Sequence, residues 1–254
     1  MKLGFPNNPR RNLLREIEWI GTHGFDFVDL FLEEDVAVPE KIDINAAKKM
    51  LRKHGLSATG HTAWYLPIGS PSRTLREAAL VEAERYLEVF GALGVPCMTI
   101  HSNWPRGLFS AQEGVEFQIE TLLQLVRLGK DHNVQILYEP VDSEDDNIRN
   151  VSTILNRVSE LLLHIDLGHA NLHRSSPDEF IREFQGLIGH IHLHDNFGRA
   201  DLHLPPGCGS IDWRKTLKTL KSCYDGTITI EVFSRDKDYV VLAREKMRAL
   251  WDSL

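Results

Sequence analysis

The chain has 254 residues, 42% of them hydrophobic, and a net charge of −7 from 29 Lys and Arg against 36 Asp and Glu. That length suits one α/β barrel, and the acidity disfavours a partner bound through many phosphates, so nucleic acid is not expected. No apolar run is long enough for a bilayer, the opening MKLGFPNNPR lacks the apolar core of a secretory signal, and three scattered cysteines make no disulfide framework. The expectation is a cytoplasmic protein with no membrane partner.

Short runs rich in Ile, Val, Leu and Thr predict strands at 2–5, 27–31, 57–61, 97–101, 134–139, 161–166, 190–194 and 227–233. Between them, helical spacing of apolar residues predicts helices at 12–23, 44–54, 75–93, 111–132, 148–161, 177–185, 213–223 and 239–254. Gly24, Gly55 and Gly94 follow three of these closely and suit the left-handed residue that ends a helix. Eight strand–helix units with no Pro/Ser/Gly-rich linker predict one (β/α)8 barrel, a single catalytic domain over 1–254.

Alternation within the strands sorts their side chains. In Thr227–Ile228–Thr229–Ile230–Glu231 the threonines share a face with the acid and the isoleucines take the other. The same rule aligns Thr59 with His61, Thr99 with His101, Gln135 and Leu137 with Glu139, His164 with Asp166, and His190 and His192 with His194. Aliphatic faces then meet the helices and mixed faces point into the barrel. His61, His101, Glu139, Asp166, His192 and Glu231 stand at the last inward positions, on the rim where barrel enzymes place their sites.

Acids and imidazoles without thiolates suit Mn, Mg, Co or Zn. Glu139, Asp166, His192 and Glu231 come from four consecutive strands and are the expected ligand set. A lone acid at a strand end more commonly caps the next helix, and a lone buried histidine is more commonly a hydrogen-bonded core residue. Six together at six strand ends point to a metal site.

The segments YEP (Glu139), HIDLGHA (Asp166, His169), HLHDN (His192, Asp195), GRADLHLPPGCGSIDW (Asp201, His203) and IEVF (Glu231) resemble the xylose isomerase-like TIM-barrel superfamily. Its members include sugar isomerases, keto-sugar epimerases, inosose dehydratases and endonuclease IV-type enzymes. Resemblance to the epimerase branch implies one metal on Glu139, Asp166, His192 and Glu231, the two glutamates acting as acid and base, and His169 holding substrate. Resemblance to the endonuclease branch implies three zinc ions on His61, His101, Glu139, Asp166, His169, His192, Asp201, His203 and Glu231. Two departures stand out: the epimerase group carries Arg and Glu shortly after the position of Glu139, where this chain reads Pro140-Val141-Asp142-Ser143-Glu144, and Cys208 stands where a Gly-Glu-Gly turn is usual.

The expected activity is a divalent-metal-dependent isomerase or epimerase of a small sugar, sugar phosphate or keto-polyol, working through a metal-stabilised enediolate. Glu139 and Glu231 move the proton, and His169 and Arg199 polarise the substrate oxygen. Asp195 orients a ligand imidazole, Trp64 and Trp104 wall the sugar face, and Arg106, Arg199 and Arg235 hold an anionic group. The alternatives are a multi-zinc phosphodiesterase acting on abasic DNA, an inosose dehydratase-like lyase, and a non-catalytic metal-binding protein. Acidic rim loops at Glu33, Glu34 and Asp35 and at Asp142, Glu144, Asp145 and Asp146 disfavour DNA. The oligomeric state stays open between monomer and homodimer.

Overall fold

Aliphatic residues on alternate positions of eight strands demand a surface to pack against, and a ring of helices supplies it. A computed structural model of the chain describes residues 1–33, 36–105, 107–141, 143–172 and 176–254. Parallel strands run in chain order around a closed barrel: β1 (Lys2–Pro6), β2 (Phe27–Phe31), β3 (Ser57–His61), β4 (Cys97–His101), β5 (Gln135–Glu139), β6 (Leu162–Asp166), β7 (Ile188–Leu193) and β8 (Thr227–Ile230), which pairs back onto β1. The described helices are α1 (Leu13–Thr22), α2 (Ile44–His54), α3 (Arg73–Leu93), α4 (Ala111–Asp131), α5 (Ile148–Arg157), α6 (Leu167–Leu172), α7 (Pro177–Phe184), α8 (Trp213–Lys221) and α9 (Asp238–Asp252). The expected single (β/α)8 barrel is the fold observed. None of the described helices is long and apolar enough to cross a membrane.

The outward faces carry Val28, Leu30, Met98, Ile100, Ile136, Leu163, Ile165, Ile191, Ile228 and Ile230, all in one core with helix residues such as Ile17, Leu51, Leu87, Leu122 and Leu217. Each such side chain contributes roughly 1.5–3 kcal/mol when fully buried. Helix ends follow local chemistry. Ser110 and Glu113 form a reciprocal cap at the start of α4, and Gly55 and Gly94 close α2 and α3 at φ +66° and +77°.

The inward faces are polar. Asp29, Thr59, Thr99, His164, His190 and Thr229 are buried inside the barrel, and most of their polar atoms pair within it. Thr59 Oγ1 and Thr229 Oγ1 donate to the Asp29 carboxylate at 2.8 and 2.9 Å. Thr99 Oγ1 lies 3.0 Å from His164 Nδ1, and His190 sits between the hydroxyls of Thr227 and Thr229 at 2.7 and 3.0 Å.

Several element boundaries differ from expectation by one to four residues; β8, for one, ends at Ile230 where the strand was expected to run to 233. The helix predicted over 148–161 stops at Arg157, because Val158 turns the chain and Glu160 adopts a left-handed φ of 69°. Strand β7 begins at Ile188, and the six-residue α6 directly after Asp166 was not foreseen. Both fall in apolar stretches that look alike as strand or helix.

Candidate metal centre

Strand ends deliver the site. His61, His101, Glu139 and Asp166 are the last residues of β3 to β6, His192 is the penultimate residue of β7, and Glu231 follows β8 directly. His61, His101 and Glu231 line a cavity of about 960 Å³ together with His169, Asp201 and His203.

Three overlapping clusters result. In one, His61 Nε2 and His101 Nε2 lie 3.1 and 3.0 Å from Glu139 Oε2 and 3.2 Å from each other. In the central one, His192 Nδ1 is 3.1 Å from Glu231 Oε2 and 3.9 Å from Asp166 Oδ2. Glu139, Asp166 and His169 offer atoms within 4.8 Å of one another, as do Asp166, His194 and Glu231. In the third, the Asp201 carboxylate lies 3.4 Å from His169 Nε2, 2.9 Å from His203 Nε2 and 3.3 Å from His194 Nε2. All nine residues of the endonuclease-type pattern are therefore at the barrel mouth, and Asp166 has donor atoms within 4.8 Å of Glu139 on one side and of Glu231 on the other.

Asp166 shows how one acid serves two purposes. Its Oδ1 accepts the backbone N–H groups of Gly168 and His169 at 2.6 and 2.9 Å, capping α6. Its Oδ2 is buried with no hydrogen-bond partner. His194 packs over Gly168 so closely that a Cβ there would meet its ring at 2.0 Å.

The donor set fits a cation. His61 Nδ1 lies 2.9 Å from the Thr62 carbonyl, which only accepts, so that nitrogen carries the ring hydrogen. His61 Nε2 then turns a lone pair toward Glu139 Oε2, an arrangement that repels unless a proton or a metal lies between. His203 repeats it, with Nδ1 2.9 Å from the Glu231 carbonyl and Nε2 facing Asp201. Buried atoms without hydrogen-bond partners cluster here too: Asp166 Oδ2, His164 Nε2, His169 Nδ1 and both nitrogens of His194. Such groups in a native interior call for a bound ion or water.

Electrostatics agree. Burial disfavours the charged form of every group in the cluster, yet specific neighbours outweigh it for most. Glu139 is held well below the usual carboxylate range by the charges of His164 and His101, and Asp166 by those of His194 and His169. His169 is raised well above the usual imidazole range by Asp166 and Asp201, and His192 by Glu231 and Asp29. His203 is raised to about 9 by Glu231 and Asp201. Without a metal, protons supply the positive charge that these carboxylates draw in; a divalent ion held here would take their place.

The xylose isomerase-like TIM barrel family matches residues 17–252. The chain belongs to this family. Among family proteins, 3-dehydro-D-guloside 4-epimerase of Escherichia coli is 23% identical, over 97% of this chain and 98% of its own. The crystal structure of a D-tagatose 3-epimerase-like protein superposes with a TM-score of 0.89 at 24% identity, covering 100% of this chain and 98% of that one. The IolI protein with a bound zinc atom superposes at 0.83 and 18% identity, covering 100% and 99%.

Around this family core the substrate-contact expectations divide. Trp64 lines the cavity with 60% of its surface exposed, and Arg235 lines it as well. Trp104 also borders it but lies against Gly114 of α4, so packing holds it. Arg199 is not on this cavity: it lies in a separate shallow depression with Phe197, Ala200 and Leu202. Arg106, like Glu34, Asp35 and Asp142 of the acidic loops, lies outside the described residues. Asp146, expected as a solvated acid, is buried and accepts from Ser102 Oγ at 2.7 Å.

Asp195 was expected to orient a ligand imidazole. Its oxygens instead accept Asn196 N, Ile211 N, Gly207 N and Trp213 Nε1 at 2.8–3.2 Å, fixing the loop after β7. The carboxylate beside a ligand ring is Asp29, 2.7 Å from His192 Nε2. Asp29, His164, His190 and His194 received no role from the sequence. An acid alone on the inward face of Phe27–Phe31 was the available signal for the first.

Proposed function

We propose that this chain is a divalent-metal-dependent isomerase or epimerase of a sugar, sugar phosphate or keto-polyol, with Glu139, Asp166, His192 and Glu231 holding the ion. The observations that carry the reading are that Asp166 has donor atoms within 4.8 Å of both Glu139 and Glu231, that His192 Nδ1 lies 3.1 Å from Glu231 beside the cavity, and that Asp166 Oδ2 is buried without a hydrogen-bond partner. The sugar epimerases among its relatives support the substrate class.

A divalent ion (Mn, Mg, Co or Zn) held by Glu139, Asp166, His192 and Glu231 would supply Lewis acidity toward a substrate carbonyl and so acidify the adjacent C–H. Glu231, which borders the cavity, takes or returns the proton at that carbon. Glu139, across the barrel mouth on β5, performs the opposite transfer. Return to the other face gives an epimer, and return to the adjacent carbon gives an isomer. Loss of a neighbouring hydroxyl would make the protein a lyase of the inosose dehydratase kind. His169, 3.4 Å from Asp201 on the cavity wall, donates to a substrate oxygen. Trp64 and Phe233 cover an apolar sugar face, and Arg235 meets an anionic substituent. Three free thiols suit a reducing cytoplasm.

A panel of ketoses, keto-glycosides and their phosphates, assayed with each metal in turn, tests the reading. Turnover should depend on added metal, and E139Q and E231Q should each lower kcat by about 10²–10⁴-fold with unchanged circular dichroism. Wild-type rates in both variants rule the mechanism out.

A second reading, a multi-zinc phosphodiesterase acting on abasic DNA, is favoured by the triangle of His61, His101 and Glu139. Its 3.0–3.2 Å edges approach the roughly 3.3 Å separation of two ligands on a tetrahedral zinc. It requires three zinc ions per chain and cleavage of abasic DNA that weakens with salt. The net charge of −7 and Glu33 on the cavity wall disfavour it.

A further inference from the structure

His192 is the one imidazole of the proposed metal set, and its two nitrogens face different worlds. Nδ1 points into the cluster, 3.1 Å from Glu231 Oε2 and 3.9 Å from Asp166 Oδ2. Nε2 points down into the barrel, 2.7 Å from Asp29 Oδ2. Asp29 is 1% exposed, sits mid-strand on β2 and reaches across the interior to β7. Its position is fixed from several sides: Thr59 of β3 donates to Oδ1 at 2.8 Å, Thr229 of β8 donates to Oδ2 at 2.9 Å, and His190 Nε2 lies 3.4 Å away.

We propose that Asp29 is the positioning residue of the metal centre, locking His192 in the tautomer and orientation that present the Nδ1 lone pair to the ion. This rests on the reading of His192 as a ligand. An ionised carboxylate only accepts, so a 2.7 Å contact puts the ring hydrogen on Nε2 and leaves Nδ1 free to coordinate. The hydrogen bond also makes the imidazole a stronger donor, and such outer partners commonly contribute 10- to 100-fold in metal affinity. A carboxylate buried deep in a barrel is costly to keep. The carboxylate accepts on both sides, from Thr59 at Oδ1 and from Thr229 and His192 at Oδ2, whereas a neutral amide offers one acceptor oxygen and turns an NH2 group toward the other side.

Metal dissociation constants from chelator competition, with Co²⁺ and Zn²⁺, separate this role from a merely structural one. The set is wild type, D29N, H192Q and D29N/H192Q. D29N should weaken binding by about 10- to 100-fold and shift the visible spectrum of the Co²⁺ form. In the H192Q background D29N should weaken it no further, because Asp29 acts through the ring. Wild-type affinity in D29N overturns the proposal, and so does an equal loss in both backgrounds. If D29N does not fold, T59V/T229V carries the test: severalfold weaker binding is expected, and unchanged binding overturns it. The readout needs no substrate. A wild type that binds metal but converts no sugar therefore sinks the isomerase reading alone, and a D29N that binds like wild type sinks this one alone.

Discussion

His203 is strained for a purpose. It adopts a left-handed φ of 47°, a conformation histidine visits only when its surroundings hold it there. Stacking of Phe233 at 4.2 Å and of His194 at 4.0 Å, with Asp201 at Nε2, does the holding. Burial pushes its imidazolium down, but Glu231 and Asp201 raise it to about 9 from the ordinary 6.5. A raised histidine stabilises the fold fully below its unfolded value and loses that contribution as pH rises through its folded one. Metal-free protein should therefore lose on the order of 3 kcal/mol between about pH 6.5 and 9 from this group. Thermal melts in EDTA across that range should fall for the wild type and fall less for H203N. A flat wild-type profile contradicts the assignment. Residues of this kind were half legible. The sequence named His203 through its motif, but its proton and its strain depend on Glu231, which lies 28 residues away.

At the level of elements, α6 ties the sequence motif to the site. Asp166 caps it with one oxygen and aims the other at the centre, and Gly168 leaves room for the His194 ring. G168A puts a methyl where that ring sits, so it should cost about 1–3 kcal/mol. In a chain of this size that is a Tm drop of roughly 2–4 °C per kcal/mol. An unchanged Tm would mean that His194 moves aside freely. Helices and strands with a clean period were legible, because outward aliphatics and polar outer faces repeat. Six-residue α6 was not: it spans under two turns, and its first residue continues the apolar run of β6. Strand β2 was placed correctly, yet its inward acid went unread, because Asp29 acquires meaning only from partners on β3, β7 and β8.

Across the whole molecule, an aliphatic cylinder outside and a polar shaft inside divide stability from chemistry. The outer shell supplies the burial that tolerates Asp29, Glu139 and Asp166 within. The fold followed from alternation and spacing alone, and the cluster of rim acids and histidines from their places at strand ends. Whether those side chains would hold one ion or several was not legible, since their groupings overlap across six strand ends. Anomalous diffraction from crystals loaded with zinc or manganese measures this most directly. The account predicts one strong peak bonded to Glu139, Asp166, His192 Nδ1 and Glu231, at about 2.0–2.2 Å if zinc. Density for water alone among those four side chains, with no anomalous signal there, would contradict it.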